Sequence, residues 1–258
     1  MIVNTSHFTL KLAESEQELA AAQRLRYRVF VQEMGARPAF DGEAANRESD
    51  AFDPYFDHLL LMDTRIPDTD NNVVGAYRMM RSETAAKAQG FYGAQEYDLG
   101  PIIRSGRSAV ELGRSCIDPA YRNGIALHLL WQGVAEYVLR NRIELLFGVA
   151  SFAGTDPTAY ADGLSYLHHG HLAPPQLRVV ARQSARVRMD MKQADAIDRV
   201  TAVRQIPALI KSYIRLGGWV GEGAYVDRDF NTIDVCLVLD QQNIPAKQRA
   251  QLLQGLAA

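Results

Sequence analysis

Phe8, Leu10 and Leu12 alternate with polar residues in "HFTLKLA", the period of a strand with one buried face. The period then lengthens. Leu19, Ala22, Leu25 and Val29 recur at helical spacing as far as about Met34, behind a Ser15 and Glu18 pair spaced as a capping box. The acidic stretch "FDGEAANRESDAFDPYFD" follows neither period and reads as a loop over a site. Two apolar runs, near His58 to Asp63 and Asn72 to Ser82, flank "TRIPDTDNN", whose Pro, Asp and Asn residues predict a hairpin turn. A further strand is expected from Ala109 to Ile117, stopped by Asp118 and Pro119, and a helix from about Arg122 to Asn141. "IELLFGVASF" reads as another buried strand. Asp156 is placed to cap a helix with Pro157 at its first position and Gly170 beyond its end. Pro207 opens "PALIKSYIRL", Gly217 and Gly218 close it, and "TIDVCLVLD" is the last clear strand.

An antiparallel meander followed by strand, helix and strand with a right-handed crossover predicts a mixed, mostly antiparallel sheet with helices on both faces. The fold class is α+β or three-layer α/β. Neither a repeat period nor a low-complexity segment interrupts the chain, which predicts one continuous domain over residues 1–258.

The 258 residues are 47% hydrophobic, ordinary for a chain that buries a core, and the formal charge of −2 excludes whole-molecule attraction to nucleic acid. Basic features are local. Six arginines lie between Arg104 and Arg142 against Glu111, Asp118 and Glu136, and Arg178, Arg182, Arg186, Arg188 and Lys192 make a second run. Either could dock an acidic partner or face anionic lipid. Cys116 and Cys236 sit in apolar runs, where buried structural thiols are the rule, and this predicts a reducing cytoplasm. "MIVNTSHFTLKLAESE" lacks a signal-peptide layout, and no run nears the roughly 18 apolar residues of a membrane span.

The junction "SCIDPAYRNGIALHLL" passes from strand to helix. The first N–H groups of a helix are unpaired and can receive a phosphate, and Arg122, Asn123, Gly124 and Ala126 combine a cation, an open approach and a lean first turn. The same stretch resembles the acyl-donor motif of the GNAT-type N-acyltransferases. It is one residue shorter between Arg122 and Gly124, which offers fewer amides and suits the single phosphate of a carrier protein's phosphopantetheine better than the pyrophosphate of coenzyme A.

"LRYRVFVQEMG", "ESDAFD", "GAYRMM" and "VELGRS" resemble the motif series of the acyl-homoserine lactone synthases. That likeness implies Arg26, Phe30, Asp50, Asp53, Arg78, Glu111 and Arg114 as site residues. The tryptophan that those synthases carry after the first helix is absent, the chain reading Met34, Gly35, Ala36. Longer stretches, "LLWQGVAEYVLRNRIELLFGVASFAGTDP", "LSYLHHGHLAPP" and "LIKSYIRLGGWVGEGAYVDRDFNTIDVCLVLD", resemble the bacterial N-acyltransferases that make lyso-ornithine lipid from 3-hydroxyacyl carrier protein and ornithine. The likeness runs from about residue 24 to 240. It implies a single GNAT-like domain, with strands, helix and acidic loop to about residue 106 and donor motif and C-terminal half from about 107. It also implies no resident cofactor or metal, 4'-phosphopantetheine arriving with the donor, and a cytoplasmic enzyme with peripheral contact at the inner membrane. Related enzymes acylate glutamine, which keeps that acceptor open, and a non-catalytic carrier-binding module is the third alternative beside the lactone synthase.

Forming an amide from a thioester requires a neutral amine, so a proton acceptor is expected. Glu111 is the candidate base, unless it merely pairs with Arg114; His58, flanked by Asp57, is the alternative. Asp50 and Asp53 are candidates for holding substrate ammonium groups. Main-chain N–H groups at a break in the central strand near Cys116 and Ile117 are candidates for the oxyanion, with Arg114 on the donor side. Cys116 as a nucleophile is the rival, and its apolar context favours a structural thiol. His168, His169 and His171 end a helix, where capping or packing is favoured over metal ligation. By resemblance Asp227, Arg228 and Asp229 in "VDRDFNT" shape the amino-acid pocket; by composition they could simply make a turn.

Overall fold

A computed structural model of the chain describes residues 3–4, 6–37, 46–122 and 124–253. Its elements, in chain order, are β1 (Val3–Asn4), β2 (Phe8–Leu12), α1 (Glu16–Arg26), β3 (Asp57–Asp63), β4 (Val73–Arg81), α2 (Ser82–Ala85), β5 (Tyr97–Asp98) and α3 (Gly100–Arg104). Then come β6 (Ala109–Ile117), α4 (Ile125–Arg140), β7 (Leu145–Ala153), α5 (Ala161–His171), β8 (Val180–Ala181), β9 (Arg186–Val187), α6 (Arg199–Gln205) and α7 (Ala208–Arg215). β10 (Trp219–Val220), β11 (Ala224–Asp227), β12 (Thr232–Asp240) and α8 (Ala246–Leu253) complete the order. They divide into two compact units, one of Met1–Gln89, Leu112–Arg142 and Arg249–Ala258, the other of Gly90–Glu111 and Ile143–Gln248.

In the first unit β1, β2, β3 and β4 pair antiparallel in sequence order. Alternation along these strands decides which helix covers which face. Leu60 pairs with Ala76, and both pack with Ala21, Ala22 and Leu25 of α1 and with Cys116. The opposite parity, Leu10, Leu59 and Leu61, meets α4: a Cβ on Gly133 would lie 2.8 Å from Leu10 and 2.9 Å from Leu59. The expected helix–sheet–helix layering is therefore present within this unit, and Gly133 is the residue that lets α4 approach so closely.

Ser15 caps α1 as expected, its Oγ accepting from Glu18 N at 3.2 Å. The reciprocal bond goes to Glu14 N rather than Ser15 N, at 2.8 Å. Beyond Arg26 the α-helix gives way to a π-helical segment, Tyr27–Glu33, where a single helix to Met34 was expected. Neither Pro nor Gly marks the change, so periodicity alone could not reveal it.

In the second unit the start of β6 runs parallel to β7, from Ala109 opposite Leu145 to Glu111 opposite Phe147. β7 pairs antiparallel with β12, β12 with β11, and β11 with β9. Every residue of β12 is buried, as its near-continuous apolar run predicts. Asp156 accepts from Thr158 N, but the capped segment is a 3-10 turn, Pro157–Tyr160, that leads into α5. Gly170 lies inside α5, which ends at His171, not beyond its end. Pro207 is the N-cap of α7, and Gly217, at φ +84, closes it with Gly218 N donating to Tyr213 O. Among the described residues no helix is long and apolar enough to cross a membrane.

Candidate active site

In the first unit the acidic loop turns its carboxylates inward onto three guanidinium groups. Arg26, at the end of α1, donates to Glu48 at 2.5 Å and to Asp53 Oδ1 at 2.8 Å. Arg78, on the α1-facing side of β4, reaches the same Asp53 oxygen at 2.7 Å and Asp50 at 2.8 Å. Arg114 donates to Glu48 at 3.0 Å and Asp50 at 3.2 Å, and Gln23 takes the second oxygen of Asp53. The Arg78 guanidinium also lies 4.3 Å from the Phe56 ring centre. Burial alone would raise the Asp53 carboxyl, but the charges of Arg26 and Arg78 outweigh it and hold it at about 2. Glu48 is likewise held below its ordinary range by Arg114 and Arg26 against the opposing effect of burial.

This network changes the reading of Asp50 and Asp53. A substrate ammonium at Asp53 would share Oδ1 with two buried guanidinium groups, so the carboxylate serves as an internal counter-charge. Arg114 itself sits in left-handed backbone at φ +48 in the middle of β6. The break in the central strand thus falls at Arg114, two residues before the expected position at Cys116, with the strain, about 1–3 kcal/mol for such a residue, offset by the two carboxylates. Phe30, from the π-helical segment, packs partly buried against the α1 core.

His58 and Asp57 do not act as a pair, because neighbours in a strand face opposite ways. His58 points to the α1 side, where its Nε2 donates to the main-chain oxygen of Asp53 at 3.0 Å, and burial pushes the imidazole below its ordinary range. Asp57 points to the α4 side and accepts from the Tyr137 hydroxyl. Cys116 is buried in the α1 core, and burial pushes its thiol up to about 12, which removes it as a nucleophile at neutral pH.

At the donor turn Gly124, at φ +96, is the N-cap of α4 and has no side chain of its own to cap it. The helix begins at Ile125 rather than Arg122. Ala126 is buried behind it, and Asn123 lies outside the described residues. Arg122 is engaged: it holds both Glu33 oxygens at 2.6 and 2.7 Å and donates to Ile117 O at 3.0 Å. The bridge is exposed, so a phosphate could replace Glu33 at little cost.

In the second unit Glu111 is buried, only 2% exposed, and both oxygens accept main-chain donors: Oε2 from Tyr92 N at 2.8 Å and Oε1 from Gly93 N at 2.6 Å. These amides belong to the turn Tyr92–Gln95. Phe91 anchors that turn edge-on against Phe147, the residue opposite Glu111 in the ladder. A Cβ on Gly93 would stand 2.9 Å from Oε1, so glycine is what permits the short bond.

Asp227, at the end of β11, accepts from Asp229 N and Phe230 N, which makes "VDRDFNT" the turn of the β11–β12 hairpin with Arg228 and Asp229 exposed on it. Sequence reading missed what Asp227 faces. Carboxylate oxygens of Glu96, Asp227 and Asp234 all lie within 4.8 Å of one another. An acid inside the apolar "TIDVCLVLD" was the available signal for Asp234; nothing local marks Glu96.

The histidines of α5 pack as expected for a helix end, with His169 bonded to Lys192 O and His171 against Tyr166. The basic runs are largely neutralised: Arg107 pairs with Asp240, Arg140 with Glu136, Arg186 with Glu222, Arg188 with Asp190 and Lys192 with Asp162. A cavity of about 560 Å³ bounded by Arg104, Arg107, Pro174 and Trp219 involves none of the predicted site residues.

Residues 25–132 match the family model described as "Acetyltransferase (GNAT) domain". A protein of Rhodobacter capsulatus named L-ornithine N(alpha)-acyltransferase is 52% identical over 245 residues, covering 94% of this chain and 93% of its own. One of the same name from Agrobacterium fabrum is 42% identical, covering 92% of this chain and 82% of its own. Among solved structures, FeeM, an N-acyl amino acid synthase from uncultured soil microbes, superposes with a TM-score of 0.53 at 14% identity, covering 97% of this chain and 98% of that one. The acyl-homoserine lactone synthase LasI gives 0.52 at 16% identity, covering 97% of each. The two structures share the fold, and the expectation of a GNAT-like architecture is borne out.

Proposed function

This chain belongs to the family of the L-ornithine Nα-acyltransferases, and we propose that it joins a 3-hydroxyacyl chain, delivered as the thioester of an acyl carrier protein, to the α-nitrogen of ornithine. The observation that carries the reading is the 52% identity over 94% of the chain to the Rhodobacter capsulatus protein of that name.

At neutral pH the α-nitrogen arrives as an ammonium, and only the free amine attacks a thioester. Glu111 takes that proton, directly or through one water. Its two amide partners orient the carboxylate. The nitrogen adds to the thioester carbonyl, and main-chain N–H groups at the break in the central strand, which falls at Arg114, stabilise the oxyanion. The carbon–sulfur bond then breaks, the amide nitrogen gives up its second proton, and the sulfur leaves as a thiol. The donor's phosphate sits at the start of α4, with Arg122 exchanging Glu33 for it. The phosphopantetheine comes and goes with the carrier, and no resident cofactor enters the scheme. An amphiphilic product suits release at the inner face of the membrane, where the enzyme binds peripherally.

The test supplies 3-hydroxypalmitoyl carrier protein with ornithine and glutamine in competition and reads the products by mass spectrometry. Acylated ornithine is expected. Consumption of glutamine alone would overturn the acceptor, and equal use of the coenzyme A thioester would overturn the carrier.

A further inference from the structure

The cations of the second unit are not all matched by acids. Between Arg199 and Gly221 the chain carries Arg199, Arg204, Lys211 and Arg215 and neither Asp nor Glu. Among the described residues none of these four has an ion pair, whereas Arg107, Arg186, Arg188 and Lys192 all do.

On α6 two of these cations frame an apolar pair. One side of the helix is fixed to its unit: Ala202 is buried, Gln205 accepts from Gly163 N at 2.7 Å, and the same side chain donates to Ala159 O at 2.9 Å. The outward side carries Val200, 61% exposed, and Val203, 47% exposed. Among the described residues these are the two exposed large apolar side chains that stand within one helical turn of each other. At about 100° of rotation per residue, Val203 and Val200 lie side by side between Arg199 and Arg204, each valine about 40° from the arginine four positions away. Lys211 of α7 brings a third cation, its Nζ donating to Val203 O at 3.2 Å. The nearest acid in sequence, Asp198, is occupied by the amides of Val200 and Thr201 and by the Thr201 hydroxyl.

Valine is a poor residue for the water side of a seven-residue helix, because its branched Cβ loses rotamer freedom there and its methyl groups gain nothing from solvent. Methyl groups between guanidinium groups on long stems match another environment, the boundary of lipid headgroups and acyl chains. There the methyls enter the apolar edge while the cations stay at anionic headgroups. An acidic carrier protein would answer the same cations, and the valine pair favours lipid.

We propose that the outward face of α6, Val200 and Val203 between Arg199 and Arg204, is the surface by which the protein rests on an anionic bilayer. This deepens the peripheral contact of the function proposed above and rests on it. The test sediments the full-length protein with vesicles of phosphatidylcholine alone and of phosphatidylcholine mixed with phosphatidylglycerol. Wild type is compared with the double variants Arg199→Gln/Arg204→Gln and Val200→Ser/Val203→Ser, with thermal melting and vesicle-free turnover on soluble carrier thioester measured alongside. Wild type is expected to prefer the anionic vesicles and to lose that preference with added salt. At about fivefold for each cation near the surface, the arginine pair should weaken binding tenfold or more. The serine pair should weaken it severalfold with the salt dependence retained, and neither should change vesicle-free turnover. All four side chains are exposed, and either pair decides the question if the other does not fold. Equal binding of wild type to both vesicles, or variants that bind as wild type does, would overturn the proposal. A raised KM for the carrier thioester with vesicle binding intact would overturn it too and assign the face to the carrier. Failure of the wild type to acylate ornithine would sink the acceptor reading instead, and sedimentation would still decide what α6 meets.

Discussion

The two units treat their carboxylates in opposite ways. In the first, Glu48, Asp50 and Asp53 meet Arg26, Arg78 and Arg114, three acids against three guanidinium groups. In the second, Glu111 is held by neutral main-chain donors, and Glu96, Asp227 and Asp234 crowd together. Matched charge cancels its own field and fixes geometry; a carboxylate held by main-chain amides, or set beside other acids, is tuned by hydrogen bonds and by its acidic neighbours instead. Acidic motif residues therefore divide into architecture and chemistry by what they already bind.

The largest effect is expected from unbalancing the matched network. Arg26→Met would leave Glu48 and Asp53 buried beside one cation fewer, and a loss of about 3–5 kcal/mol in unfolding free energy is expected from denaturant titration. A variant within 1 kcal/mol of wild type would show that the pairs contribute little.

Next in size is the second unit. Glu111→Gln keeps an acceptor for the Gly93 amide but cannot take a proton, and turnover at saturating substrates should drop by roughly a hundredfold or more, with melting measured alongside because the Tyr92 amide loses its acceptor. Turnover near that of wild type would remove Glu111 from the chemistry.

A smaller effect separates the units by pH. The Asp53 carboxyl is depressed from its ordinary 3.8 to about 2, so it binds a proton more readily unfolded than folded. Its stabilisation, about 2 kcal/mol, is complete above roughly pH 4 and is lost as the pH falls through the folded value near 2. Denaturant midpoints collected between pH 5 and 2 should show this loss in wild type and less of it in Asp53→Asn; equal slopes would contradict the assignment.

The smallest change concerns the donor turn. Glu33→Gln breaks an exposed bridge and should cost less than about 1 kcal/mol of stability while lowering the KM for the carrier thioester severalfold, since Arg122 is released. An unchanged or higher KM would argue that Arg122 does not meet the donor's phosphate.

Much of this was open to a reader of the chain. The period-two runs and the helical spacing of α1 and α4 report which face of each element is apolar, and that property is local. Motif likeness was equally legible, placing the chain among GNAT-type acyltransferases through "SCIDPAYRNGIALHLL". Charge was harder. Arg186, Arg188 and Lys192 read as a basic run until Glu222, Asp190 and Asp162 are set beside them.

By itself, the order of residues determined the elements, the layering and the family, because apolar spacing and motif identity act over a few residues at a time. Only the tertiary structure decided that Asp53 is a counter-ion within a buried network, that Asp57 and His58 serve opposite faces, and that Glu96 stands beside Asp227 and Asp234. The guanidinium partners of Asp53 lie 25 and 27 positions away, Tyr137 lies 80 from Asp57, and Asp234 lies 138 from Glu96. Charge–charge energy is set by distance in space and by the water excluded between the groups, and neither quantity is a property of neighbours along the chain.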